Sequence, residues 1–347
     1  MQLVAIPHIK EMIDSGYISV RKHSKFDLYI YNYTKKAGAN RVWNEATNKC
    51  RGLICDGNGT IVARPFEKFY NYEELDDLNI TIPKLPFEVY EKLDGSLGIM
   101  YFAEGNPYIA TRGSFDSDQA KHATDILYHK YSHTFSKLDQ SKTYLFEIIY
   151  NDPTARGNLV VDYGNVDDIF LLAVIHTATG EEDDISDYKD LFKVTTKYDS
   201  VKDYLKFRNE QDGHNREGFV IKFSNNFRMK LKFSEYFKHH AMHRINAKDV
   251  VSAIVEKRLD SFRENLVTKY DEEVLLYLDN IIVDLNDKYA QIEDECISFF
   301  HSNKCDSLSR VELAHLCKDY IYASIIFALY DSKNITPIIW RFVRKHL

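Results

Sequence analysis

Lys92 ends an apolar run and opens onto a glycine turn in Glu91-Lys92-Leu93-Asp94-Gly95-Ser96-Leu97-Gly98. A primary amine there can attack a phosphorus centre or a carbonyl, Gly95 lets the backbone approach a bulky ligand, and Ser96 adds a hydroxyl and an N–H. Alone, the segment is ordinary, because a solvated lysine beside a turn is the usual arrangement. Other residues add weight. Glu147 lies at the centre of an apolar strand between Phe146 and Ile148, where an uncompensated carboxylate is costly; the plainer alternative is an inward-leaning acid on an edge strand. Glu217, following Arg216 at the start of a strand, says little by itself. Lys230 and Lys232 alternate with Met229, Leu231 and Phe233, so period two places both ammonium groups on one strand face. Two aligned like charges need a polyanion or several acids.

A free lysine amine, pKa about 10.4, is neutral in roughly one molecule in 2,500 at pH 7. A cation about 6 Å away, at an effective dielectric of about 20, contributes roughly 2.8 kcal/mol before carboxylates offset it. Any cation that the fold brings beside Lys92 is therefore expected to favour its neutral amine. Carboxylate oxygens suit Mg²⁺ or Mn²⁺, with water supplying most ligands.

The elements that must position these groups follow from turn residues. All 14 glycines fall between Gly16 and Gly218, and six of the seven prolines lie at or before Pro153. The first part is therefore expected to be turn-rich and stranded, the last part helical. The fold class is α+β: an antiparallel-sheet domain over residues 1–245 and an all-helical domain over 246–347. Strand signals occur in RGLICDGNGTIVARPF, FEVYEKLDGSLGIMYF, NPYIATRG, KTYLFEIIY, DDIFLLAVIH and REGFVIKFSNNFRMKLKF. Two hairpins are predicted, one turning at Asp56–Gly59 and one at Ser224–Asn226. Helical spacing appears in Val250, Val251, Ile254, Val255 and Leu259, and again in Leu275, Leu278, Ile281, Ile282 and Leu285.

A chain of 347 residues, 44% apolar and 28% charged, has the make-up of a globular protein rather than a disordered one. No stretch approaches the roughly 18 apolar residues of a membrane span, and the N-terminal segment carries acids where a signal peptide has its apolar core. The expected compartment is the cytoplasm. Five cysteines without a CxxC pair point to free thiols and away from zinc. Net charge is 45 − 52 = −7, which opposes non-specific coating of nucleic acid but leaves room for a local basic groove. Lys222, Arg228, Lys230, Lys232, Lys238, Arg244 and Lys248 face one acid, Glu235, within that stretch, so a basic patch is expected there. His239, His240 and His243 lack a complementary acid or cysteine at helical spacing, so a solvated or RNA-facing helix start is preferred over a metal site.

The ordered segments resemble the covalent nucleotidyltransferase superfamily of ATP-dependent ligases and capping enzymes: Lys92-Leu93-Asp94-Gly95-Ser96, Thr111-Arg112-Gly113-Ser114, Phe146-Glu147-Ile148, Glu217-Gly218-Phe219-Val220 and Lys230-Leu231-Lys232. An upstream block, Cys50-Arg51-Gly52-Leu53 followed by Ala63-Arg64-Pro65-Phe66-Glu67-Lys68-Phe69-Tyr70-Asn71, makes the chain similar more narrowly to the phage RNA ligase 1 family. The resemblance spans about Arg41 to Phe233. It implies that Lys92 takes AMP from ATP, that Glu147 holds the nucleoside at its ribose, and that Glu217 lies near a divalent metal. It also implies that Lys230 and Lys232 hold the α-phosphate, that Arg51 and Lys68 face the departing pyrophosphate, and that Phe69 or Tyr70 shapes that pocket. Arg112 stands where some relatives have lysine, which keeps the charge and changes its geometry. The implied partner is RNA bearing a 5′-phosphate and a 3′-hydroxyl, such as a nicked tRNA, with repair as the implied role.

DNA ligase and mRNA guanylyltransferase are the rivals within the superfamily. Both follow the last lysine motif with a glycine-containing β-barrel, whereas the remainder here lacks glycine. A catalytically decayed RNA-binding protein is the rival from another class, and the presence of every motif side chain opposes it. Residues 246–347 hold 13 Lys/Arg and 17 Asp/Glu, a net 13 − 17 = −4 that suits shape recognition better than a broad phosphate-binding face. A fragment ending near residue 246 is expected to form covalent lysine–AMP, and to lose more sealing on a nicked tRNA hairpin than on single-stranded RNA. Equal losses in a gel-based sealing assay would show that the tail supports the catalytic fold and does not choose the substrate.

Overall fold

The apolar runs between turn signals supply most of the thirteen strands in a computed structural model that describes residues 2–150, 161–233, 236, 245–269 and 274–347. The chain divides into two compact units, Met1–His240 and Ala241–Leu347. In the first unit β1 (Ile18–Lys22), β2 (Leu28–Tyr33), β3 (Arg51–Asp56) and β4 (Ile61–Ala63) form one sheet in chain order. The later strands are β5 (Tyr70–Asn71), β6 (Phe87–Lys92), β7 (Ser96–Ala103), β8 (Asn106–Thr111), β9 (Lys142–Ile149), β10 (Asp168–His176), β11 (Lys197–Tyr198), β12 (Gly218–Phe223) and β13 (Arg228–Lys232). They make two more sheets, ordered β10-β9-β7-β8 and β11-β6-β12-β13-β5.

The second sheet is covered on both faces, which makes it the rigid middle of the unit. Met100, Tyr144 and Phe146 pack against Ala123, Ile126 and Leu127 of the helix Asp118–Tyr131. Ile99, Tyr101 and Leu145 pack against Ile30 and Ile54 of the first sheet. The third sheet buries Val89, Phe219, Ile221, Met229 and Leu231 on one face. By strand alternation its other face carries Lys92, Lys230 and Lys232.

Both expected hairpins form, β3 with β4 and β12 with β13, the latter in register from Gly218 opposite Lys232 to Lys222 opposite Arg228. The run FEVYEKLDGSLGIMYF is two strands in two different sheets. The chain leaves the third sheet after Lys92 and enters the second at Ser96. Gly95 makes the crossing feasible, because a Cβ there would sit 2.5 Å from the Ile148 carbonyl oxygen and 2.9 Å from Glu147 Cγ. Strands β1 and β2 lay outside the sequence expectations. β1 is largely part-exposed and lacks an apolar run, so its pairing with β2 defines it.

The second unit is helical among its described residues: Ala247–Val255, Leu259–Lys269, Val274–Ser302, Arg310–Leu316, Ala323–Tyr330 and Thr336–Lys345. Val250, Val251, Leu275, Leu278 and Leu285 are buried, as the spacing requires, whereas Val255 is 48% exposed at its helix end. All five cysteines are free and buried, and burial pushes the Cys50, Cys55 and Cys296 thiols up to about 12. No described helix is long and apolar enough to cross a membrane.

Gly218 has φ +148°, and a Cβ on it would lie 2.4 Å from the Leu231 carbonyl oxygen and 2.6 Å from Lys232 Cα. Gly105 has φ +77° with open space around it. Gly105→Ala is expected to cost about 1–2 kcal/mol of stability through backbone strain alone. Gly218→Ala should exceed that by at least about 1 kcal/mol in urea unfolding, because backbone must move. Equal costs would mean that β12 and β13 adjust freely beside the site.

Candidate active site

Strand register sets the centre of the site. Lys92 pairs across the sheet with Gly218, and Gly218 with Lys232, so three neighbouring strands place these residues in one row. Glu217, immediately before β12, reaches into that row. One carboxylate oxygen accepts from Lys92 Nζ at 2.8 Å and the other lies 2.8 Å from Lys232 Nζ. Glu217 is 3% exposed, and the side chains of Lys232 and Lys92 are 5% and 19% exposed. The amine thus rests in an ion pair. The sequence reading allowed for carboxylates that offset the cations without naming one against Lys92; the structure places Glu217, from a distant segment, between two of the lysines.

The turn after Lys92 is held through Asp94. Its backbone N–H donates to the Tyr163 hydroxyl oxygen at 2.7 Å, and its carboxylate accepts from the Val161 N–H and the Tyr236 hydroxyl, each at 3.0 Å. Glu147 approaches from the second sheet. It lies on β9, an inner strand paired with both β7 and β10, which removes the edge-strand alternative. Desolvation pushes its carboxyl up to about 7; the nearby Lys92 opposes that shift while Glu217 and Asp94 reinforce it.

A second group of cations gathers around aromatic rings. Parallel pairing of Lys230 with Asn71 brings β5 beside β13. Lys230 Nζ and the Arg51 guanidinium lie 5.5 Å and 5.8 Å from the centre of the Phe69 ring. Arg51 Nη1 is buried with no hydrogen-bond partner among the described residues. Lys68 is 8% exposed and faces Tyr33, Trp43 and Tyr70. Arg112 donates to the Tyr33 hydroxyl at 2.6 Å and lies over the same ring. The predicted residues therefore fall into connected groups: Lys92, Glu217 and Lys232; Glu147 against Gly95; Arg51, Lys230 and Phe69; and Lys68 with Arg112 through Tyr33.

On β12 and β13 the expected basic patch is not an open surface, whereas Lys248 is exposed. Lys222 and Arg228 both pair with Glu182, Lys232 pairs with Glu217, and Lys230 is 9% exposed. Acids distant in sequence return to these strands, which a count along 222–248 misses. Lys238, Arg244, Glu235, His239, His240 and His243 lie outside the described residues. Tyr33, Trp43, Asp94 and Tyr163 were not singled out from sequence as site residues. The alternating run Leu28–Tyr33 was a usable signal for Tyr33, whereas Trp43 and Tyr163 meet the site only through folding.

No group of three His, Cys, Asp or Glu side chains among the described residues could cage a metal. Glu217 offers one carboxylate, already shared by two ammonium groups. This donor set fits a hydrated divalent cation that arrives with a polyphosphate, and does not fit one held by protein alone.

A lysine row facing a carboxylate across two sheets defines the class, a nucleotidyltransferase-type ligase fold. The same fold occurs in a structure described as an ATP-dependent DNA ligase from Aquifex aeolicus, at TM-score 0.50 and 15% identity over 83% of this chain and 80% of that one. The sequence model of the RNA ligase family matches residues 49–237, more than half of the chain, which belongs to the phage RNA ligase 1 family. An RNA ligase of Rhodothermus phage RM378 is 29% identical over 40% of this chain and 39% of its own length. A protein named as a bifunctional polynucleotide kinase/RNA ligase of Autographa californica nuclear polyhedrosis virus is 25% identical over 69% of this chain and 37% of its own. The chain thus spans under two fifths of these curated relatives.

A carboxyl raised from 4.5 to about 7 favours the folded state fully below pH 4.5, and that contribution disappears as pH rises through about 7. Glu147→Gln removes this loss. Without nucleotide, the melting temperature of Glu147→Gln minus that of the parent should be more positive at pH 8 than at pH 5. An equal difference at both would show that Glu147 ionises as an ordinary carboxylate.

Proposed function

We propose that the chain is an ATP-dependent RNA ligase that joins an RNA 5′-phosphate to a 3′-hydroxyl through a lysine–AMP intermediate. The observation that carries this reading is the buried row of Lys92, Glu217 and Lys232, with Lys230 one strand-repeat away, in a chain of the RNA ligase family.

In the first step the Lys92 amine, released from Glu217 and having lost a proton, attacks the α-phosphorus of ATP. A P–N bond forms, the α-phosphorus to bridging-oxygen bond breaks, and its electron pair leaves on pyrophosphate. The nitrogen sheds its remaining extra proton to water. Lys230 and Lys232 stabilise charge on the equatorial oxygens, while Arg51 and Lys68 receive the pyrophosphate end. Glu147 accepts from the ribose hydroxyls. When bound with the nucleotide, Mg²⁺ or Mn²⁺ supplies further charge neutralisation, and Glu217 is the residue that would hold it. In the second step an oxygen of the RNA 5′-phosphate attacks the lysine-bound AMP and Lys92 leaves, regaining a proton. In the third, the RNA 3′-hydroxyl oxygen attacks the adenylated 5′-phosphate, its proton passing to water, and the bond between the two phosphates breaks to release AMP, leaving a phosphodiester. The substrate in this reading is a break in folded RNA, such as a nicked tRNA anticodon loop.

With labelled ATP and Mg²⁺ the protein should gain one AMP through an acid-labile, base-stable bond, and Lys92→Ala should gain none. Lys230→Ala and Lys232→Ala should each slow labelling at least about tenfold, roughly 1.4 kcal/mol of barrier. GTP should label poorly. Label that persists in Lys92→Ala would overturn the assignment of the nucleophile, and equal labelling by GTP would favour a capping-type enzyme.

A further inference from the structure

Trp43 contributes to a three-ring enclosure of a buried cation. The Lys68 ammonium lies 4.2 Å from its ring centre, 4.8 Å from that of Tyr70 and 5.7 Å from that of Tyr33. Trp43 meets Tyr33 edge-on at 5.1 Å and Tyr70 at 6.2 Å. One short helix, Glu45–Lys49, fixes this arrangement. Trp43 stands just before its capping box of Asn44 and Thr47; Asn48 takes the Tyr70 hydroxyl hydrogen at 2.8 Å on its side chain and the Lys68 N–H at 2.8 Å on its carbonyl. Trp43 is part-buried and packs against the apolar cluster of the third sheet as well as against the cation.

We infer that Trp43 is a positioning residue for pyrophosphate departure, orienting the Lys68 ammonium toward the leaving end of ATP. This rests on the ATP-dependent reading above. An indole face is the strongest aromatic partner for a cation, and rings on several sides restrict the rotamers of a long lysine. Less ordering is then needed when phosphate binds. Only the first step expels pyrophosphate; sealing of an already adenylated RNA expels AMP. A residue acting through the pyrophosphate end therefore affects lysine adenylation and leaves that later sealing step unchanged, a split that a purely structural role would not produce.

The test compares the parent with Trp43→Leu and Trp43→Phe. Trp43→Leu should raise the KM for ATP in adenylation at least about tenfold, with Trp43→Phe within about threefold of the parent. Both should seal pre-adenylated RNA, without ATP, at the parent rate. Pyrophosphate added to the parent protein should change its tryptophan fluorescence saturably, and Lys68→Met should abolish that change; this readout stands even where Trp43→Leu fails to fold. Equal loss of both reactions, unaffected adenylation, or fluorescence that ignores pyrophosphate would each overturn the role of Trp43 while lysine–AMP formation by the parent kept the ligase reading intact. A parent that forms no lysine–AMP would overturn both.

Discussion

One buried carboxylate holding two ammonium groups is the constraint on which the site depends. Glu217 comes from the start of β12, Lys92 from the end of β6 and Lys232 from the end of β13, so the ion triad joins three strands at one row. Removing charges from water is expensive, and a buried ion missing its partner is worse. Lys230 lies one repeat further along the same face, so strand register alone brings three ammonium groups and one buried carboxylate together.

Two sheets divide the work of presenting the substrate. The third carries the triad on the face opposite its apolar core. The second, packed on both faces, carries Glu147 on an inner strand. A carboxyl pushed up to about 7 by desolvation stays where it is because both neighbouring strands hold its backbone. Its position is a property of the sheet more than of its own contacts.

Much of this arrangement was legible in the chain. Glycine and proline punctuation separated the stranded part from the helical part, and period two placed Lys230 and Lys232 on one face. The α+β class follows from those signals, and both hairpins turn where Asp56–Gly59 and Ser224–Asn226 said they would. What escaped was long-range. No local pattern shows that Glu217 pairs with Lys92, 125 residues away, or that Glu182 returns to neutralise Lys222 and Arg228. Strand β1 escaped because its residues are largely part-exposed, and the break between β6 and β7 because one apolar run served two sheets.

That break has a consequence for how such a chain can vary in length. Leu93, Asp94 and Gly95 are the whole bridge between two sheets, with Asp94 tied to Val161, Tyr163 and Tyr236 and Gly95 pressed against Ile148. One residue inserted or deleted there would shift the register of Lys92 or of β7 and invert the faces of a strand. The hairpin turns at 56–59 and 224–226 each join neighbouring strands of one sheet, so a change of length there leaves the crossing between sheets in place. The count of three residues after Lys92 is therefore set by the distance between two sheets and not by any turn geometry of its own.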